Sequence, residues 1–300
     1  MPKAAFTSTD NRQMEIEYDT FGNPSHPALL MIMGYSAQMT AWPLGFIEAI
    51  VNTGHYVIRF DNRDCGLSTH LDGVHVDTGP VIAAALFDDP MPPIPYSLVD
   101  MAGDAVAVLD HLSIERAHVV GMSLGGMVAQ VMAYEYSHRV KTLTSISSQP
   151  GDPEVGQPTM EASAVIFEEA PAGMSREDYI ESSLKWQVWQ SKKYRNDELS
   201  RFAAALSYDR AFYPEGATRQ LAAVYGTGRR HDQVATISVP TLVIHGTDDT
   251  LITTSGGERT AQLIPNSTLL MVDDMGHDLP QPLWPLLVGA ISKHTALVSQ

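Results

Sequence analysis

The sequence predicts an α/β fold, a mostly parallel central sheet flanked by helices with a helical cap inserted between late strands. Three observations predict it. Short β-rich runs, most of them apolar throughout, recur along the chain, and helical patterns fall between them. The rhythm breaks once, over residues 149–237, where helix signals continue and no buried strand appears. Strands alternating with helices imply parallel pairing through crossover connections.

The first run, MEIEYDTFG (14–22), alternates polar and apolar residues and is expected toward a sheet edge. ALLMIMG (28–34), YVIRFD (56–61), AHVVGMS (117–123), VKTLTSISS (140–148), TLVIHG (241–246) and STLLMVDD (267–274) follow. Runs without polar alternation suit strands covered on both faces. Helical periodicity occupies 43–53, 98–112, 124–136, 255–264 and 283–296. Within the interruption, helices are expected from Ser175 (SREDYIESSLKWQVWQSKK), from Asn196 (NDELSRFAAALS) and up to Gly226 (ATRQLAAVYG). Asn196 with Asp197 and Glu198 is a helix start signal, and Gly226 a stop. Residues 1–149 and 236–300 therefore form the core, and 150–235 the cap. The proline-rich stretch 70–97 is expected as an ordered loop or short helical segment beside the cap.

Composition excludes several roles. The 35 acidic against 19 basic residues give a formal charge of −16, which repels phosphate backbones and anionic lipid, so neither nucleic acid nor a membrane surface is expected as a partner. No apolar run reaches the ~18 residues of a membrane span, and MPKAAFTSTDNRQMEIEYD carries no signal-like core, so a soluble, cytoplasmic protein is expected. Cys65 is the one cysteine, which rules out an intrachain disulfide or thiolate cluster and reads as a buried structural thiol. His70, Asp72, His75 and Asp77 match no hydrolase metal spacing. No metal and no cofactor are expected.

The chemistry concentrates in AHVVGMSLGGMVAQ (117–130), where Ser123 sits among Gly121, Gly125 and Gly126 at a strand-to-helix join. A phosphate loop would need Lys-Ser or Lys-Thr after the last glycine, where Met127 and Val128 stand, and the glycine spacing misses the dinucleotide fingerprint. G-x-S-x-G fits without adjustment. In that elbow a strained serine projects its hydroxyl above the sheet, and glycine two residues to either side avoids a collision across the turn. Ser123 is thus the candidate nucleophile. It needs a base and an orienting acid, in the chain order serine, acid, histidine. TLVIHG leads into TDDT, offering Asp248 and Asp249, and TLLMVDDMGHDLP places His277 after the last strand. His245, at a strand-to-loop junction, reads as a packed residue. The oxyanion requires two backbone donors: the N–H of Leu124, after the serine, and the N–H of Tyr35, presented by the bend at Gly34. Gly34, Met39, Met122 and Trp186 are candidate substrate contacts. The cap, the apolar residues Met39, Leu124 and Met127, and the absence of a basic cluster point to an uncharged, moderately apolar small-molecule ester.

The segments MGYSAQMTAW, VIRFDNRDCGLST, DMAGDAVAVLDHL, AHVVGMSLGGMVAQ, VPTLVIHGTDD and DMGHDLP occur in an order and spacing that resemble the α/β-hydrolases of the capped esterase/lactonase branch, over nearly the whole chain. Within it the chain most resembles the aclacinomycin methylesterase-like hydrolases, which remove a methyl group from a carboxylic ester. The resemblance implies a Ser123–Asp249–His277 triad, the acid being the third residue after Gly246. It also implies a carboxylesterase-type enzyme working through an acyl-enzyme on methyl or short-chain esters. In two places the chain departs from that group. Residues 70–97 form a longer stretch, expected to reshape the pocket, and Met33-Gly34 stands where many relatives carry His-Gly, which leaves the amide donor in place. Lactones or carbon–carbon bonds would be cleaved with the same triad, and a ligand-binding receptor or scaffold with little turnover is the alternative of a different class.

Overall fold

The computed structural model describes residues 2–168 and 170–298. Its strands are β1 (Lys3–Thr7), β2 (Gln13–Phe21), β3 (Ala28–Ile32), β4 (Tyr56–Phe60), β5 (Ala117–Met122), β6 (Val140–Ile146), β7 (Thr241–Gly246) and β8 (Thr268–Val272). They form one sheet in the order β1-β2-β4-β3-β5-β6-β7-β8. β2 pairs antiparallel with β1 and β4, and the pairs from β4 to β8 are parallel. Every residue of β3, β5 and β7 is buried, which explains their unbroken apolar runs.

β2 lies toward an edge, as its alternation suggested, but it is not the outermost strand. β1 lies outside it, paired from Lys3↔Glu17 to Thr7↔Gln13. KAAFT escaped notice because only Ala4 is buried; the backbone ladder holds it rather than an apolar run.

The helices are α1 (Leu44–Val51), α2 (Thr78–Phe87), α3 (Leu98–His111), α4 (Leu124–Glu135), α5 (Met160–Ile166), α6 (Arg176–Ser182), α7 (Asp197–Ala211), α8 (Glu215–Thr227), α9 (His231–Val234), α10 (Thr254–Leu263) and α11 (Trp284–Thr295). One apolar layer joins Ile32, Phe60 and Val119 of the sheet to α3 and α4, with Met101, Val108, Val128 and Met132 fully buried or nearly so. The opposite layer joins Leu29, Met31 and Ile244 to Phe46 and Ile47 of α1 and to Leu287 and Ile291 of α11. Each such side chain contributes about 1.5–3 kcal/mol by leaving water.

The strand order reverses between β3 and β5, the crevice at which open α/β sheets gather their functional loops. The insertion between β6 and β7 lies over this end. Arg230 N–H donates to the Pro150 carbonyl at 3.1 Å and closes its base. Helix α2, from the 70–97 stretch, packs against α8. Short α5 and α9 were not anticipated; at seven and four residues they carry too little periodicity to be seen.

The cap is anchored through buried charge. Arg219 of α8 forks onto Asp64 at 2.7 and 2.9 Å, and Arg210 of α7 meets Asp61 at 2.8 Å, both carboxylates lying fully out of water. Gln220 Nε2 donates to the Arg63 carbonyl at 2.8 Å, and Gln38 Nε2 donates to the Ser207 and Ala211 carbonyls at 2.7 and 2.8 Å. The stretch DNRDCGLST, quoted above for its resemblance, is the seat of this anchor. Cys65 is buried there, and burial pushes its thiol well above the usual range.

Candidate active site

Ser123 joins β5 to α4 with φ 56° and ψ −123°, a backbone conformation costing about 1–3 kcal/mol for a residue with a side chain. Its surroundings over-determine it. Its N–H donates to the Ile146 carbonyl at 2.9 Å, and its own carbonyl accepts from Ser148 Oγ at 2.8 Å. A Cβ on Gly121 would lie 2.1 Å from the Gly125 carbonyl oxygen, and one on Gly125 would lie 2.0 Å from that of Ile32. The first is the collision expected across the turn. The second presses the elbow against the neighbouring strand, a contact the sequence could not reveal.

Gly34 brings the loop after β3 against the serine: a Cβ there would sit 3.1 Å from Ser123 Cβ and 3.5 Å from its Oγ. Asn62 Nδ2 holds the Met33 carbonyl at 2.9 Å, and Ser36 N–H donates to Gln220 Oε1 at 2.8 Å, fixing Tyr35 between them. Leu124 opens α4, so its N–H belongs to the positive end of the helix dipole. Tyr35 and Leu124, whose N–H groups are the expected oxyanion donors, line one cavity with Ser123.

His277 Nδ1 pairs with Asp249 Oδ2 at 2.8 Å across 28 residues of chain. The other carboxylate oxygen of Asp249 accepts from Leu251 N–H at 3.0 Å and Ile252 N–H at 2.9 Å, and the group is fully buried. Asp248 is half-buried, and its N–H donates to the Met275 carbonyl at 2.9 Å, so it shapes the turn. His245 is packed as expected: it meets the Ile252 carbonyl at 2.8 Å, and burial lowers its pKa, keeping it neutral.

Residues 188–191 of the insertion strap both loops. Thr250 Oγ1 donates to the Val188 carbonyl at 2.9 Å, next to Asp249. His277 N–H donates to the Trp189 carbonyl at 2.6 Å, and Ser191 N–H donates to Asp278 Oδ1 at 3.1 Å. A Cβ on Gly276 would meet the Gln190–Ser191 backbone at 2.4 Å. Burial raises the Asp278 carboxyl to about 6, against the opposing pull of the Ser191 and Gly276 N–H groups. No local pattern announced this strap.

A cavity of about 120 Å³ opens beside Ser123, walled by Tyr35 and Met127 of the core, Leu86 of α2, Phe167 after α5 and Tyr225 of α8. The 70–97 stretch therefore does shape the pocket. Three expected substrate contacts do not border it. Met39 is fully buried, its N–H held by Asp61 Oδ1 at 2.7 Å. Met122, one residue before the serine, points into the α1/α11 layer because side chains alternate along a strand. Trp186 packs edge-on against Tyr179 within the cap. Of the residues suggested by sequence, Met127 and Leu124 line the cavity, whereas Gly34, a fourth expected substrate contact, does not border it and instead packs against Ser123. Leu86, Phe167 and Tyr225 were missed, since each reaches the wall from a distant segment.

Among the described residues no grouping of three or more His, Cys, Asp or Glu side chains could hold a metal ion. His70 stacks on Tyr213 at 3.7 Å, and Asp77 caps α2. No described helix is long and apolar enough to cross a membrane.

Residues 27–280 match the family described as the alpha/beta hydrolase fold. A rhodomycin D methylesterase of Streptomyces sp. (strain C5) is 28% identical, with 91% of this chain and 92% of that protein aligned. The 3-oxoadipate enol-lactonase 2 of Acinetobacter baylyi is 24% identical over 91% of each chain. Among solved structures, a meta-cleavage product hydrolase from Pseudomonas fluorescens IP01 superposes with a TM-score of 0.74 at 19% identity, covering 98% of this chain and 97% of the other.

Proposed function

Because the chain belongs to the α/β-hydrolase family, we propose that it is a serine carboxylic ester hydrolase working through an acyl-enzyme on small, moderately apolar esters, methyl or short-chain. The observation that carries this is the pairing of His277 Nδ1 with a buried Asp249 at 2.8 Å, in the chain order that the Ser123 elbow demands. That bond places the proton on Nδ1 and leaves Nε2 as a base.

In the proposed reaction Ser123 Oγ attacks the ester carbonyl while His277 Nε2 takes its proton. Asp249 stabilises the imidazolium, and the N–H groups of Leu124 and Tyr35 receive the developing oxyanion. Collapse of the tetrahedral intermediate expels the alcohol, which leaves with the proton from His277. Water, deprotonated by the same imidazole, then attacks the acyl-serine, and Ser123 is regenerated as the acid departs. A cavity of about 120 Å³ under a cap favours a small acyl group and leaving group over a long chain. The similarity to an enol-lactonase supports a second reading, lactone opening, in which the expelled alkoxide stays tethered to the acyl-enzyme.

A fluorophosphonate probe is expected to label Ser123 stoichiometrically, and aryl or methyl esters of short acids to be hydrolysed faster than long-chain ones. Absence of labelling at Ser123 would favour a ligand receptor, and a chain-length series peaking at sixteen carbons would refute the substrate size.

A further inference from the structure

The cavity beside Ser123 is bordered by a buried arginine that the proposed reaction leaves unused. Arg230, 2% exposed at the start of α9, borders it. Its guanidinium donates to two backbone carbonyls, Nη1 to Gly228 at 3.2 Å and Nη2 to Gln149 at 3.0 Å, while Nε is buried without a partner. Among the described residues no carboxylate lies within ion-pair distance of it. Asp152, which borders the same cavity and whose charge favours protonated Arg230 from farther off, is paired directly with Arg229 at 3.0 Å, Arg259 at 2.8 Å and His231 at 3.0 Å. Gln149, on the same wall, keeps its Oε1 buried and partnerless as well.

A buried cation without a counter-charge is costly, by several kcal/mol per ion after relaxation, and an anion arriving beside it relieves that cost. Other buried arginines have such partners: Arg63 forks onto Asp104 at 2.6 Å, and Arg219 onto Asp64. Arg230 differs from both. Burial draws its pKa down to about 10, which leaves it charged at neutral pH. Residue 151 carries no side chain over it: a Cβ on Gly151 would lie 2.9 Å from Arg230 Nη1 and 2.4 Å from the Gly228 carbonyl oxygen. The expectation of an uncharged substrate rested on the absence of a basic cluster, and folding brings this arginine to the cavity from 107 positions beyond Ser123.

We infer that Arg230 is an anion-accepting position of the acyl pocket, and that the ester taken by this site carries a second, anionic oxygen group on its acyl side, of the carboxylate class. The inference rests on the ester-hydrolase reading for the identity of the reacting group; the anion position itself does not. Away from Gln149, Asp152 and Gln157 the wall is mostly apolar, with Leu86, Met127, Phe167 and Ile252, so the expected acyl group is a short hydrocarbon with a charge at its far end.

The test is a series of monomethyl esters of dicarboxylic acids, from succinate to suberate, each against the neutral methyl ester in which an isopropyl group replaces the carboxylate. At the chain length that fits, wild-type kcat/KM should favour the half-acid by roughly 10–100-fold, the range of a charge-assisted hydrogen bond. In Arg230→Gln, checked for folding by circular dichroism, that ratio should fall to about one. Preference for the neutral ester at every length overturns the inference in wild-type protein alone, whether or not the variant folds. Retention of the ratio in folded Arg230→Gln overturns it too. Calorimetric binding of the same half-acids to Ser123→Ala protein separates the two readings. If neither ester is cleaved but the half-acids bind with a preference over their isosteres, the hydrolase reading falls and the anion position stands; if they do not bind, the anion position falls.

Discussion

Ser123 and the Asp249–His277 pair are held by contrasting structures. The serine stands on a buried strand and the helix that follows, held by backbone contacts in which single hydrogen atoms replace side chains at positions 121 and 125. Asp249 and His277 hang from loops after β7 and β8, held by hydrogen bonds to each other and to the 188–191 strap. One side is made by close packing within a few consecutive residues, and the other by polar contacts between segments far apart in the chain. Errors on the first side should therefore register in folding unless they touch only the hydroxyl, and errors on the second should register in rate.

The sharpest test of that contrast is Ser123→Ala, which removes the hydroxyl and keeps the elbow. Turnover should fall by about 10⁴–10⁶-fold with the circular dichroism spectrum unchanged. Near-normal activity would break the proposed mechanism at its centre.

Asp249→Asn comes next. Its carbonyl oxygen can keep the Leu251 and Ile252 N–H bonds, which turns the amide NH₂ toward His277 Nδ1 and forces the wrong tautomer. A loss of about 10⁴-fold in kcat is expected, whereas Asp248→Asn should cost about tenfold or less through the loop alone. The reverse ranking on folded variants would exchange the two aspartates.

The third prediction concerns the cap, whose insertion in the sequence suggests a lid with few ties to the core. Arg219→Met leaves the Asp64 carboxylate buried and unpaired, so the urea midpoint should drop by an equivalent of about 3–5 kcal/mol. An unchanged midpoint would restore the picture of a loosely attached cap.

Smallest of the set, Thr250→Val removes the hydrogen bond to the Val188 carbonyl while filling the same volume. A loss of about 1 kcal/mol in positioning corresponds to roughly fivefold in kcat with KM little changed. A change confined to KM would mean that the strap serves substrate binding and not the acid.

What could be read from the sequence follows the same division. The elbow, the strands β3 to β8 and the His277 loop are written in short local patterns, and all appear within a residue or two of their expected bounds. The cavity wall is not written that way. Met122 is turned into the α1/α11 layer by the alternation of side chains along β5, and Met39, in the loop region after β3, is buried away from the cavity by packing that no local pattern records. Leu86, Tyr225 and Arg230 enter from three separate segments that only the folded chain brings together. β1 went unseen because a strand with one buried residue has no hydrophobic signature.

The strap has a bearing on how this scaffold can diversify. Residues 188–191 touch both loops of the acid–base pair, while the cap contribution to the cavity comes from other parts of the insertion, around Phe167 and Tyr225. Pocket shape and the holding of the Asp249 and His277 loops are thus assigned to separate stretches of a single insertion. The pocket-forming stretches could be redrawn while the strap keeps its place, since its contacts run through the backbone of residues 188–191. A chimaera that grafts a foreign cap whole would import a new pocket and, with the same cut, discard the brace that keeps His277 facing Asp249.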